Sequence, residues 1–268
     1  SSTQGVVPAP SPGGRSRAGI GSMTTPLVRA EHLFKSFPGR GRREPAVPVL
    51  RDVSLGVLPG EMVSIVGPSG SGKSTLLLCL AGLERVDSGS VHLAGRELGM
   101  LGHGALAKLR RDHLGFVFQS FNLIASLTAR ENIALPARLA RRRITGAEID
   151  RALADVGLQD RGRHKPGELS GGQQQRVAIA RVLAMRPDIV FADEPTGSLD
   201  TASGAAALQL LRTAADRGSS VIVVTHDLEA AALADRVLVL RDGRIHTELR
   251  NATPEQVLEE ITLARADA

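Results

Sequence analysis

The chain has 268 residues, 42% of them hydrophobic and 23% charged, which suits one large domain or two intimately joined subdomains and excludes disorder for most of its length. Its net charge is +5, and with 2% aromatic residues and no Trp or Tyr it offers little for base stacking, so no nucleic-acid partner is expected. No apolar run reaches the roughly 18 residues that a bilayer-spanning helix needs. The best of them, residues 76–83, is halted by Glu84.

Residues 1–22 are rich in Ser, Gly and Pro and carry Arg15 and Arg17 without any acid, so they read as a disordered leader or an expression remnant, with Met23 as the start of one domain over 23–268. Further along, the positive charge gathers at Arg40, Arg42 and Arg43 and at Arg141, Arg142 and Arg143. A solvated face is the default reading of such clusters, and proximity to anionic headgroups is the functional one. Residues 62–66 (Met-Val-Ser-Ile-Val) predict a buried strand and 75–80 a helix. The intervening Gly67, Pro68, Ser69, Gly70, Ser71, Gly72, Lys73 and Ser74 fit G-x-x-x-x-G-K-[ST]. Glycines at those offsets let backbone N–H groups crowd around phosphate oxygens, Lys73 neutralises β and γ charge, and Ser74 reaches Mg²⁺. A phosphate would sit at the N-terminus of the helix that begins around Thr75, where unpaired N–H groups and the dipole favour an anion. The single Cys79 falls in that helix, with no second thiol or His spacing for a disulfide or zinc site, and reads as a buried structural thiol.

Downstream, Thr145 with Glu148 and Ser170 with Gln173 each form a capping box that opens an apolar-periodic helix. The second differs in carrying Gly171 and Gly172, which bare N–H groups at a helix N-terminus where another phosphate contact can form. Residues 189–192 (Ile-Val-Phe-Ala) are a short apolar run ending in Asp193 and Glu194, as a parallel-sheet strand delivering carboxylates to its C-terminal edge would be. Beside a phosphate loop, Asp193 is placed for the Mg²⁺ shell and Glu194 to orient a water. Residues 221–224 repeat the pattern and lead to Thr225 and His226. A lone histidine is usually structural, but at this edge His226 is a candidate donor to a γ-phosphate.

In this order the motifs resemble those of the ATP-binding-cassette (ABC) ATPases over about residues 27–249. Residues 67–74 are similar to the family's Walker A, Gln119 to its Q-loop, residues 169–173 to its signature, 189–194 to Walker B, 198–200 to the D-loop, and His226 to the switch histidine. The resemblance implies an α/β fold: a P-loop NTPase with a RecA-like parallel sheet core, an antiparallel β subdomain and an α-helical subdomain over about 105–168. It also implies a homodimer, or a paired cassette, enclosing two ATP. In that arrangement Ser170, Gly171, Gly172 and Gln173 of one chain face the Walker A loop of the other, and Asp200 couples the sites. By the same likeness Glu194 is catalytic base or water-orienting group, and Gln119 touches Mg²⁺ or the attacking water. The family usually stacks adenine on a tyrosine near the N-terminus; here Phe37 takes that position, with a core role as the alternative. Residues 109–119, 122–123 and 127–132 are similar to the MacB/LolD/FtsE-like branch, which implies an integral membrane permease partner, a peripheral location on the cytoplasmic face of the cell membrane, and export or extraction of a lipophilic, peptide or lipoprotein substrate. A solute importer's ATPase and a non-transport cassette are the alternatives.

Overall fold

The computed structural model describes residues 25–39 and 45–266. The leader 1–22 and the cluster of Arg40, Arg42 and Arg43 lie outside the described residues. Strands β1 (Val28–Phe37) and β2 (Val47–Val57) bury only part of their side chains, the signature of strands covered on one face. β3 (Met62–Val66) is instead buried at every position and feeds α1 (Lys73–Leu80). β4 (Ser88–Leu93) and β5 (Arg96–Glu97) join the first two strands in an antiparallel sheet of order β2-β1-β4-β5. After α2 (His103–His113) comes β6 (Leu114–Phe118), and then the helices α3 (Ala129–Leu139), α4 (Gly146–Asp155) and α5 (Gly171–Leu183). β7 (Ile189–Asp193), α6 (Thr201–Asp216), β8 (Ser220–Val224), α7 (Leu228–Ala232), β9 (Arg236–Arg241), β10 (Arg244–Arg250) and α8 (Pro254–Ala266) complete the chain.

The second sheet has the order β10-β9-β3-β8-β7-β6, parallel except for the β9–β10 hairpin. The inner strands β3, β7, β8 and β9 are buried almost throughout because both faces are covered, whereas β6 and β10 at the two edges of the sheet alternate. Ile189 and Phe191 of β7 and Ile222 and Val224 of β8 pack with Leu76, Leu77 and Leu80 of α1 and with Leu33 and Leu50 of the antiparallel sheet. The alternate residues, Val190, Ala192, Val221 and Val223, pack on Ile179 and Val182 of α5 and on Ala207 and Leu211 of α6. α1 and α5 therefore lie on opposite faces of the sheet.

A third cluster forms a helical layer from Ile133 and Ala134 of α3, Ile149 and Leu153 of α4, and Val177 and Ala180 of α5. α5 is thus a wall shared by the sheet and the helical layer. The interval 105–168 expected for the helical subdomain also holds most of α2 and all of β6, and these belong with the sheet. β6 pairs with β7 through five residues, and Leu109 of α2 is buried in the first core.

Phe191 is fully buried and stacks on Phe116 of β6 with ring centroids 5.5 Å apart. Phe191→Ala removes that stack and leaves a cavity under α1, and it should lower unfolding free energy by about 3–5 kcal/mol, read from denaturant unfolding of the variant against the parent chain.

Candidate functional site

The C-terminal ends of β3, β6, β7 and β8 meet at one edge of the parallel sheet, where open α/β sheets bind ligands. β3 runs into the loop 67–72. Gly67 adopts φ 146°, and a Cβ there would lie 2.0 Å from the Leu240 carbonyl oxygen; Gly72 adopts φ 100°, and its Cβ would meet the Val49 oxygen at 2.8 Å. Only glycine fits either position. The Ser71 N–H donates to the Pro68 carbonyl at 3.3 Å, and the Ser71 carbonyl accepts from Gly243 N at 3.1 Å, which ties the loop to the β9–β10 turn. Gly72 is the N-cap of α1 and contributes no side chain, and the first turn holds no acid. The Leu76 N–H makes a 2.8 Å bond to the Gly72 carbonyl, so the N–H groups of Lys73, Ser74 and Thr75 ahead of it have no intrahelical acceptor and offer an anion seat.

Lys73 Nζ donates to the Gly67 and Pro68 carbonyls at 2.9 and 2.8 Å, arching over the loop. Burial holds its pKa below the usual lysine value, against the opposing charges of Glu194 and Asp193. Ser74 Oγ donates to Asp193 Oδ1 at 3.2 Å, joining the start of α1 to the end of β7. The Asp193 carboxyl is pushed up from its ordinary value mainly by burial, with the Glu194 charge adding and the Ser74 bond and Lys73 opposing. A hydroxyl and a carboxylate at this separation are hard oxygen donors of the kind a divalent ion bound mostly by phosphate and water uses. Among the described residues no group of three or more His, Cys, Asp or Glu forms a metal cluster.

One residue on, Glu194 takes a left-handed backbone (φ 48°), anchored by its N–H to the Val224 carbonyl at 2.9 Å. Its carboxylate lies 2.8 Å from His226 Nδ1, yet Oε2 is buried without an aligned hydrogen bond. Residues held in this region of backbone space cost energy and concentrate at functional positions. His226 itself is 73% exposed in its side chain, free to reach outward from the edge.

Gln119 follows β6 directly. Its amide packs on Gly197, where a Cβ would stand 2.9 Å from Nε2, and its carbonyl accepts from Ser198 Oγ at 3.3 Å. Asp200 caps α6 by accepting from the Ser203 N–H at 2.9 Å. Ser170 caps α5 through a capping box with Gln173. Gly171 comes close to the Phe121 ring, and Gly172 presses on Ser203. Residues 170–173 and Asp200 thus form one patch on the α5 face of the sheet, apart from the α1 face that carries the phosphate loop. Phe37 ends β1 opposite Val47, with 36% exposure and outside the buried clusters, so it has no core role. Lys35 lies under its ring, Nζ 4.9 Å from the centroid, itself buried and held by Glu84 at 2.6 Å and the Arg85 carbonyl at 2.7 Å.

Three residues with a part in this site had no expectation attached to them. Gln175 is fully buried and donates to the Pro195 carbonyl at 2.7 Å, linking α5 to the turn after Glu194. Arg181 donates to the Asn122 and Phe121 carbonyls at 2.6 and 3.2 Å. Asn132 accepts from Ile124 N at 2.8 Å and donates to the Ile124, Leu127 and Thr128 carbonyls, fixing the loop after Gln119. A polar side chain inside an otherwise apolar helical stripe is the one mark along the chain that singles out Gln175 and Asn132.

The chain matches the family model described as ABC transporter over residues 50–197. It is 49% identical over 221 residues to the macrolide export ATP-binding/permease protein MacB of Neisseria meningitidis serogroup B, covering 82% of this chain and 34% of that protein. The protein of the same name from Escherichia coli strain K12 is 45% identical over 225 residues, with the same coverage of 82% and 34%. The chain therefore spans about a third of the length of these curated relatives. Among solved structures, an ATP-binding cassette determined as a dimer in a post-hydrolysis state bound to ADP and Pi is 40% identical, with a TM-score of 0.76 over 84% of this chain and 99% of that one. A second dimeric structure of the same cassette gives 41% identity and a TM-score of 0.75. The chain belongs to the ABC transporter family, and it is an ATP-binding, ATP-hydrolysing cassette with the P-loop fold.

The contact of Gln119 with Gly197 can be altered without touching either carboxylate. Gly197→Ala places a methyl against the Gln119 amide, which must swing aside, and it should cut ATP turnover about 10- to 100-fold while thermal stability holds, as steady-state ATPase assays and a melting curve would record.

Proposed function

We propose that the cassette binds Mg²⁺-ATP at the edge formed by residues 67–75, Asp193, Glu194 and His226, and hydrolyses it within a dimer whose partner supplies residues 170–173. The observation that carries this reading is the placement of Ser74, Asp193, Glu194 and His226 side by side in front of an uncapped helix N-terminus. Backbone N–H groups of the loop and Lys73 would hold the β- and γ-phosphates. Ser74 and Asp193 would hold Mg²⁺, which supplies neutralisation of charge on the transferred phosphoryl. Glu194 orients and deprotonates the attacking water, His226 donates toward the γ-phosphate, and Gln119 reports on the site from the end of β6. Phe37 offers adenine its open ring face.

The dimer follows from the two faces of the sheet. Within one chain, α1 and α5 are on opposite sides, so a second copy is the natural source of a signature segment that closes over the nucleotide. The dimeric cassette structures support that reading for a relative of this chain. The relatives named macrolide export ATP-binding/permease proteins support a membrane permease as the driven partner, at the cytoplasmic face, with a lipophilic, peptide or lipoprotein substrate exported or extracted. Among the described residues no helix is long and apolar enough to cross a membrane, so a permease would be a separate segment or subunit. Phe121, Leu123 and the 45% exposed Ile124, just after Gln119, would line the groove that receives it.

Glu194→Gln keeps the shape and removes the charge. It should leave ATP binding intact, lower turnover at least about 100-fold and accumulate an ATP-bound dimer, seen by nucleotide-binding titration and size-exclusion chromatography. Turnover near the parent rate would remove Glu194 from this role. The shared site has its own check. Lys73→Ala and Ser170→Arg chains, each inactive alone, should recover part of the parent ATPase activity on mixing, because one site of the mixed dimer keeps an intact Lys73 loop and an intact Ser170 segment. Background activity in a mixture shown to contain mixed dimers would mean that each site is built within one chain.

A further inference from the structure

The outer end of the helical layer carries a surface that ATP chemistry does not use. α3 stops in a Schellman motif: Arg142 N donates to the Ala137 carbonyl at 2.8 Å and Arg141 N to the Arg138 carbonyl at 3.0 Å. The residue that turns the chain there, Arg141, has φ 53°, a left-handed conformation that glycine adopts at least cost. Arginine stands at that position all the same, so the turn presents Arg138, Arg141, Arg142 and Arg143 within six residues, every one exposed and with no acid between them. None of the four has an ion-pair partner among the described residues, whereas Arg130 and Arg217 on the neighbouring elements pair with Asp150 and Asp155. In the middle of this cationic turn stands Leu139, 75% exposed. The turn is firmly based, because Ile133 and Ala134 of the same helix are buried in the helical core.

Four cations around one protruding aliphatic side chain fit a surface that is anionic outside and apolar just beneath. An acidic protein segment or a nucleic acid would satisfy the charges and leave Leu139 in water, and no aromatic side chain lies in the turn to stack on a base. Asn132 fixes the loop bearing Phe121 and Ile124 to the same helix, and the rise along α3 from Asn132 to Leu139 is roughly 10 Å. We propose that this turn rests on anionic lipid headgroups, with Arg138, Arg141, Arg142 and Arg143 against phosphate and Leu139 entering the boundary with the acyl chains. The inference rests on the reading of the cassette as the motor of a membrane permease docked at that loop.

The test is co-sedimentation of the full chain with phosphatidylcholine vesicles, with and without phosphatidylglycerol. The parent chain should bind only the anionic vesicles. Combined Arg141→Ser, Arg142→Ser and Arg143→Ser substitutions should weaken that binding about 100-fold, and Leu139→Ser alone at least about 3-fold. The charge-matched set Arg40→Ser, Arg42→Ser and Arg43→Ser should retain most of it. ATPase activity and circular dichroism should match the parent in the Leu139→Ser variant and in the combined Arg141→Ser, Arg142→Ser and Arg143→Ser variant, since these residues lie outside the nucleotide site. Equal losses from both arginine sets, binding indifferent to Arg141–143 and Leu139, or binding to neutral vesicles as tight as to anionic ones would overturn the proposal. So would capture of an oligonucleotide or of the permease through the same arginines without vesicle binding. Failure of any membrane permease to co-purify with the parent chain would undo the motor reading while leaving the vesicle result interpretable by itself.

Discussion

Everything at the nucleotide edge depends on bringing dense negative charge up to a helix end that has no side chain of its own to satisfy it. α1 begins at a glycine in a left-handed conformation, so its first N–H groups look outward into the loop and not at a serine or aspartate cap. An uncapped, partly buried helix end is a cost when the protein stands alone, and in the proposed reading it becomes a binding device because the sheet places Lys73, Ser74 and Asp193 around it. The same burial that raises Asp193 and lowers Lys73 makes each group more responsive to a counter-charge. Elsewhere in α1 the chemistry is silent: Cys79 is buried, its thiol pushed up to about 12, and it stays protonated and unreactive.

α5 connects that edge to the rest of the molecule. Its apolar stripes serve two cores, Ile179 and Val182 against the sheet and Val177 and Ala180 against α3 and α4. Its polar side chains hold two loops at the edge, Gln175 the turn after Glu194 and Arg181 the loop after Gln119. Gly172 at its start touches Ser203 at the start of α6, so displacement of either segment is felt by the other. Coupling of this kind needs no long pathway, only a rigid helix with a contact at each place that must change together.

How much of this the sequence disclosed follows from the range of each signal. The phosphate loop, both capping boxes and the buried strands were legible because glycine offsets, Ser-x-x-Gln spacing and unbroken apolar runs act over fewer than ten residues. β6 was harder, since a five-residue run of Leu, Gly, Phe, Val and Phe beside a helix has no period of its own; only its pairing with β7 gives it to the sheet. The exposure of Phe37 depends on Lys35 being held by Glu84, about fifty positions away, and on Phe37 standing at the end of β1. Gln175 and Asn132 look like interruptions of a helical stripe until their carbonyl partners are in place. Local rules found the chemistry, and long-range packing decided which groups face one another.

The tip of the β9–β10 hairpin shows what such packing implies for change over evolutionary time. Asp242 and Gly243 both have positive φ, as a two-residue turn between twisted strands requires, and such tips on most proteins accept insertions freely. Here the tip is wedged: Gly243 donates to the Ser71 carbonyl and accepts from Arg51 N at 2.8 Å, and a Cβ there would collide with the Val49 carbonyl. It is a keystone between the antiparallel sheet and the phosphate loop. A lineage can lengthen the turn between α3 and α4 and explore new neighbours, but a single residue added at Gly243 would lift the support from beneath the loop 67–72.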